Sequence, residues 1–205
     1  MNREVIIKQI STAKYTANYR NVAKFIEYCK ACDNYDHIWS CPPFRATDGK
    51  HICHCQARST EQYSTTTIIG IKINLSTETQ HKPANLDERN EIMTEILHST
   101  RLEIDPKLWE LERQLSDALL YYAGPCRICA PNACMRIENK ACLYPEKMRS
   151  TLEADGYDIG RTTSELLGIE LRWCEGTQLP PYFTLIYGLL TNRPIVDQLT
   201  QLLCQ

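Results

Sequence analysis

Seven closely spaced cysteines are the side chains of this 205-residue chain best suited to chemistry. They fall into two groups, each containing a pair with two residues between them. The C-terminal cysteine group is Cys126, Cys129, Cys134 and Cys142, and the N-terminal cysteine group is Cys29, Cys32 and Cys41. Thiolates two residues apart on a tight loop can converge on one metal centre, and further cysteines nearby can complete the coordination. Both groups are therefore predicted to bind metal.

The C-terminal cysteine group offers four thiols with two, four and seven residues between them. A 4Fe-4S cluster needs one cysteine at each of its four irons, and short spacers let a loop wrap around it. Zinc also accepts four thiolates in a closed tetrahedral site. Buried cysteines that bind nothing are the third interpretation, because cysteine packs as a small hydrophobe. The spacing favours iron–sulfur over zinc, and zinc over free thiols.

The N-terminal cysteine group is one ligand short of a complete set. Its fourth ligand could come from His37, Cys53, Cys55 or the other cysteine group, since two-cluster ferredoxins exchange a ligand. An iron left open to substrate is a further possibility. Residues 51–55 contain two histidines and two cysteines but are spaced too closely for all to bind one ion. Cys29 could also be only the apolar end of a helix.

Composition indicates an ordinary intracellular protein of one domain, residues 1–205. A net charge of −2 gives no reason to expect a nucleic-acid or membrane partner. The first ten residues lack the apolar run of a signal peptide, and no segment is long and apolar enough to span a membrane. We therefore expect a cytoplasmic location. In that reducing compartment the cysteines indicate metal binding rather than disulfides, while isolated Cys174 and Cys204 are expected to be packing residues.

Periodicity predicts an α/β (mixed α+β) fold, a compact domain whose small central sheet is flanked by helices and two cysteine-rich metal-binding loops. Each loop is expected to follow a helix. Asp105 and Pro106 indicate the start of the longest helix, and Gly124 its end. Strands are predicted over 5–10, 66–75 and 182–190, and helices over 19–29, 86–97, 105–122, 145–156 and 162–167.

The cysteine motifs and their surroundings resemble a family of predicted metal-binding proteins, domain of unknown function 2284. The similarity extends over most of the chain and is carried by residues 29–43, Glu112, 123–129, 142–145 and 150–158. It implies that the cysteines bind metal, but it names no activity. In the family's usual pattern, the third cysteine of the second group follows the second after two residues. Here residues 130–133 intervene before Cys134.

No other motif in the sequence indicates catalysis. The chain lacks a glycine-rich nucleotide loop, a Gly-x-Ser-x-Gly nucleophile motif and the three-cysteine motif of radical S-adenosylmethionine enzymes. Arg127, Arg136 and Lys140 lie in the C-terminal cysteine loop. Cations beside a cluster stabilise its negative charge and raise its potential, whereas ordinary solvated loop charges would give the same sequence.

Carboxylates near the cysteine loops have less specific interpretations. Glu110, Glu112 and Asp117 accompany Arg113 on the predicted long helix and are expected to form its solvated face. Glu153 follows the C-terminal cysteine loop and is of interest because the family motif includes it, although capping or ion pairing within a helix is favoured.

The leading functional hypothesis is a cytoplasmic iron–sulfur protein that transfers single electrons, with a redox partner protein. The C-terminal cysteine group would hold the principal 4Fe-4S cluster, and the N-terminal cysteine group a second cluster or part of a shared site. The alternatives are a zinc-stabilised structural or interaction module, and a redox enzyme with an open iron site beside the N-terminal cysteine group.

Overall fold

A four-stranded antiparallel sheet organises the described residues, which are 2–44 and 60–204 of the computed structural model. The sheet order is β1-β2-β4-β3, and β2 pairs along its whole length with both β1 and β4. The strands are β1 (Asn2–Ser11), β2 (Thr65–Asn74), β3 (Ala118–Tyr121) and β4 (Tyr182–Thr191).

Helices cover both faces of the sheet, so the predicted mixed α+β class is confirmed. The described helices are α1 (Thr12–Tyr19), α2 (Val22–Lys30), α3 (Thr77–His81), α4 (Leu86–Gln114), α5 (Ile159–Arg161) and α6 (Val196–Leu203). A π-helical turn, Thr162–Leu167, continues α5, and short 3-10 helices lie at Thr60–Gln62 and Met135–Glu138. No helix of the described residues is both long enough and apolar enough to cross a membrane.

The central strand β2 contributes to two separate apolar cores. Ile69, Ile71 and Ile73 pack with α4 and α6 on one face of the sheet. Ile68 points to the opposite face, where it packs with residues of α1 and of the segments that follow the cysteine loops. Because both faces are covered, the strand is a nearly continuous apolar run, which is why the sequence predicts it clearly.

The predicted strands at 5–10, 66–75 and 182–190 are confirmed, as are the helices at 19–29, which is α2, and at 162–167. Helices α1, α3 and α6 were not predicted. Three other expectations are wrong: the division of α4 into two helices, the helix through 118–122, and the helix over 145–156.

Pro106 lies inside α4 instead of beginning a second helix. Proline removes the N–H group that would bond to the carbonyl of Leu102. Both residues lie on the exposed face of the helix, where that carbonyl is accessible to water. On the opposite face Ile104 and Leu108 are buried against the sheet, and this packing keeps the helix continuous.

The segment after α4 is an edge strand. Its side chains from Ala118 to Tyr121 are all buried, and the strand pairs with β4. A short apolar run of this kind cannot be assigned to helix or strand by periodicity alone. The C-terminal cysteine loop therefore follows a strand, and the expectation that both loops follow helices is wrong for this one.

The segment 145–156 forms turns because tertiary contacts use its polar groups. The backbone carbonyl of Ser150 accepts a hydrogen bond from the backbone N–H of Tyr122 at 2.9 Å. The Arg149 guanidinium points inward to the carboxylate of Glu112. These contacts hold the residues after the C-terminal cysteine loop beside the start of that loop.

Candidate metal centres

The N-terminal cysteine loop is positioned by the contact between α2 and Gly156. The backbone N–H of Asn21 donates to the carbonyl of Gly156 at 2.8 Å. Gly156 has a φ of +88°, and a Cβ there would lie 2.8 Å from the Cα of Val22. Only glycine fits both conditions. Since α2 has no buried residue, this contact is important for placing Cys29, which lies in the last turn of the helix.

The C-terminal cysteine loop is closed at its base by a buried ion pair. Glu112 and Arg149 have side chains that are each 4% exposed, and the nearest oxygen–nitrogen distance between them is 2.6 Å. The backbone N–H of Leu120 also donates to Glu112, at 2.8 Å. The expectation that Glu112 belongs to a solvated face is therefore wrong, whereas Glu110 and Asp117 are exposed as predicted.

Ser40 joins the two cysteine loops. Its hydroxyl accepts a hydrogen bond from the backbone N–H of Cys126 at 3.0 Å, and its carbonyl accepts one from the hydroxyl of Ser150 at 2.8 Å. Ser40 is fully buried. One residue of the N-terminal loop thus contacts both ends of the C-terminal loop.

Arg136 forms a second link between the loops. The side chain is 3% exposed, and its guanidinium donates to the carbonyls of Ile38 and Cys41 at 2.9 and 2.6 Å. It also pairs with Asp36 at 2.8 Å and lies over the Trp39 ring. Arg136 is therefore a structural cation rather than a solvated loop charge, and its charge lowers the pKa of Cys41 against the larger effect of burial.

All four thiols of the C-terminal cysteine group line one open cavity of about 900 Å³. The pKa of Cys126 is raised to about 11, mainly by burial and to a smaller extent by the other three cysteines. The pKa of Cys142 is also raised, first by burial and then by Cys134 and Cys129. These mutual effects show that the four sulfur atoms lie within electrostatic range of one another.

The N-terminal cysteine group lines a smaller cavity of about 210 Å³ together with Glu153. The pKa of Cys41 is raised to about 11, mainly by burial and to a smaller extent by Cys32 and Cys29. The pKa of Cys29 is raised by burial, then by Cys32 and Glu153. The arrangement therefore contains three thiols and one carboxylate.

Glu153 is solvent-accessible within this cavity. Enough protein surrounds the carboxyl group that desolvation raises its pKa, and hydrogen bonds to the backbone and to Thr151 offset only part of that effect. No helix includes the residue, so a role within a helix is excluded. Glu153 lines the same cavity as the N-terminal cysteine group, although it follows those cysteines by 110 residues or more in the sequence. In the sequence, only the family motif marks this carboxylate as a residue of interest.

The other ligand candidates lie elsewhere. His37 lines the cavity of the C-terminal cysteine group, and its Nδ1 bonds to the carbonyl of Asp33 at 2.7 Å. Cys53, Cys55 and the rest of 51–55 fall outside the described residues.

The two isolated cysteines behave differently from each other. Cys174 packs against the core and contacts the sulfur of Met93, as expected. Cys204 is exposed, so its assignment as a packing residue is wrong.

The cysteines of the described segments are free thiols. Within residues 2–44 and 60–204, no three His, Cys, Asp or Glu side chains are grouped closely enough to hold a single metal ion.

The fold and these two groups define a mixed α+β protein with two cysteine-lined cavities on linked loops. A family model described as "Predicted metal-binding protein (DUF2284)" matches residues 12–190. The chain belongs to this family, which agrees with the resemblance found in the sequence. No significant match was found among curated proteins or solved structures.

Proposed function

We propose that the C-terminal cysteine group holds a 4Fe-4S cluster, and that this cytoplasmic protein transfers single electrons to or from a partner. The observation that supports the proposal is the shared cavity of about 900 Å³ lined by four thiols. Thiolates are the ligands that iron–sulfur clusters require, so the donor set fits the group. The family description supports metal binding in general.

The cavity favours a cluster over zinc on steric grounds. Four thiolates bound to one zinc ion at about 2.3 Å lie roughly 3.8 Å apart and leave no open space between them. A cluster instead distributes its four thiolates over four irons and fills the space that they surround. The four thiols share a cavity large enough for a cluster, and among the described residues no three ligand side chains are close enough to bind a single ion.

Partner binding is supported by apolar side chains around the same loop. Four large hydrophobic residues there are 36–59% exposed: Ile128, Ile137, Leu143 and Tyr144. Exposed apolar residues gathered at one place are typical of interaction surfaces. A bound cluster supplies reversible one-electron transfer, and the loop would hold it beside this surface.

The N-terminal cysteine group is assigned a second metal centre, with Glu153 as its fourth donor. The support is that all four side chains line one cavity and that Glu153 raises the pKa of Cys29. Carboxylates bind iron in other protein sites, so the donor types fit, and the four side chains would have to move closer together than they are among the described residues to bind one ion. Among the described residues, we propose Glu153 as the fourth ligand instead of His37, which was one of several candidates and lines the other cavity.

The experiment is anaerobic isolation of single Cys→Ser variants, with measurement of iron, acid-labile sulfide and visible absorption. We expect Cys126→Ser and Cys129→Ser to lose most of the iron and sulfide of one cluster. Glu153→Gln should change the spectrum of the second centre and leave the first intact. The control Cys174→Ser should match the wild type, because Cys174 lines neither cavity. Stoichiometric zinc without visible absorption would contradict the proposal.

A further inference from the structure

A separate cavity of about 270 Å³ lies between α4 and the C-terminal cysteine loop. The loop contributes Arg127 and Ile128, which also line the larger cavity of the cysteine group. These two residues are the ones between Cys126 and Cys129. A molecule in the smaller cavity would therefore touch the loop that carries the cysteines, although no cysteine lines the cavity itself.

Tyr122 gives this cavity an unused polar group. The residue is only 4% exposed, and its ring belongs to the apolar core below α4. Its hydroxyl has no hydrogen-bond partner in the described part of the chain, although the residue lines the cavity. The hydroxyl oxygen is not among the fully buried side-chain atoms that lack a partner, so solvent reaches it from the cavity and it is available to a ligand.

The charges on the cavity wall favour an anion. Arg101 is neutralised by Asp105 at 2.9 Å, and Asp105 also accepts a hydrogen bond from Tyr187 at 2.7 Å. The remaining cations are Arg127 and Lys147, and neither forms an ion pair with a carboxylate of residues 2–44 or 60–204. The cavity wall that includes Tyr122 therefore carries two positive charges that no ion pair neutralises, and Lys147 lies 5.5 Å from the centre of the Trp109 ring.

The rest of the wall is largely apolar. It is formed by Leu102, Pro106, Trp109 and Ile128. Pockets for drug-sized molecules start at about 300 Å³, so a cavity of 270 Å³ suits a smaller molecule. From this combination we infer that the cavity binds a small carboxylic acid with an apolar body. Tyr122, Arg127 and Lys147 hold the carboxylate, and Trp109 packs against the apolar part.

Benzoate is a suitable probe, with benzamide as its uncharged counterpart. Isothermal titration of the full chain under anaerobic conditions should give saturable binding of benzoate with a Kd of roughly 1 mM or tighter. Benzamide should bind at least about tenfold more weakly, because the cations have no charge to neutralise. Equal binding of the two probes, or no binding of benzoate, would overturn the inference.

Two variants test the residues that recognise the carboxylate. Tyr122→Phe and Arg127→Gln should each weaken benzoate binding about tenfold, because each removes a hydrogen bond to a charged group. The control Lys140→Gln lies on the same loop, outside the cavity, and should bind as the wild type does. Unchanged binding in both test variants would refute the assignment. The benzamide comparison needs no variant, so it decides the matter even if a substitution impairs folding.

This experiment is independent of the metal centre. Tyr122, Lys147 and Trp109 lie outside the segment 126–142, so metal-free protein should still bind benzoate more tightly than benzamide. Binding that appears only in metal-loaded protein would contradict the proposed wall residues, even where the iron and sulfide contents support the cluster.

Discussion

Replacement of Glu112 by glutamine tests whether the buried ion pair at the base of the C-terminal cysteine loop determines stability. The carboxylate pairs with Arg149, and both side chains are 4% exposed. Glutamine keeps the size of the side chain and an oxygen that can accept the hydrogen bond from Leu120. The substitution therefore removes mainly the negative charge.

The expected loss follows from that burial. Removal of one partner of a buried ion pair costs about 3–5 kcal/mol, because the other charge stays buried without compensation. For a protein of this size each kcal/mol corresponds to about 2–4 °C in melting temperature, so Glu112→Gln should melt roughly 6–20 °C lower. The matched control, Glu110→Gln, breaks an exposed pair with Arg113 and should cost no more than about 1 kcal/mol.

The assay is denaturant unfolding of the metal-free proteins, followed by circular dichroism, so that loss of metal does not add to the difference. The double variant Glu112→Gln/Arg149→Met should be more stable than Glu112→Gln alone, because it removes the uncompensated charge. A Glu112→Gln protein that unfolds within about 1 kcal/mol of Glu110→Gln would refute the structural role given to this pair.

Three further substitutions or conditions give clear expectations. Gly156→Ala should reduce the free energy of unfolding by about 1–3 kcal/mol, measured by chemical denaturation. The new Cβ would clash with the backbone of Val22, and residue 156 has a φ of +88°, which strains any residue other than glycine. Ser40→Ala should cost about 1–3 kcal/mol in the same assay and lower the iron content, because the N–H of Cys126 loses its acceptor. Metal uptake should increase from pH 7 to pH 9 in a loading titration. Burial raises the thiol pKa of Cys126 and Cys41 to about 11, so metal must displace their protons.

Matched controls distinguish these effects from general damage. Gly160→Ala has no positive φ, and the nearest non-neighbouring atom to its new Cβ is 3.4 Å away, so it should be nearly neutral. Ser164 is exposed, and Ser164→Ala should leave the iron content unchanged. Equal losses in control and test variants would contradict the contacts assigned to Gly156 and Ser40.

The raised thiol pKa values also predict how stability depends on pH in the metal-free protein. A folded pKa of about 11 for Cys126, above the ordinary 9.0, means that the folded state holds its proton more tightly. The protonated Cys126 thiol therefore contributes fully to the free energy of unfolding below about pH 9, and this contribution is lost as the pH rises through about 11. Metal-free protein that becomes more stable over this range would contradict the burial of the thiols.

The sequence predicts the parts of this fold that depend on local pattern. Strand β2 is recognisable because both of its faces are buried, and the cysteine groups are recognisable because their spacing is local. The resemblance to the metal-binding family came from short motifs of the same kind.

Contacts between distant segments explain what the sequence did not predict. The local pattern predicts a helix start at Pro106, but burial of Ile104 and Leu108 against the sheet keeps α4 continuous. The sequence indicates a solvated charge at Glu112, and either a solvated charge or a cation beside the cluster at Arg136. The hydrogen-bond partners of Arg136 are 93 residues or more away in the sequence, and Arg149 is 37 residues from Glu112. Likewise, no local pattern places Glu153 opposite Cys29, which is more than 100 positions earlier in the chain.

The metal content of anaerobically isolated wild-type protein tests the central claim most directly. A 4Fe-4S cluster in the C-terminal cysteine group predicts about four iron and four acid-labile sulfide per chain, with more if the N-terminal cysteine group is also loaded. The protein should be coloured and should lose that colour on reduction. A colourless protein with neither iron nor sulfide, or with one zinc per site, would contradict the account.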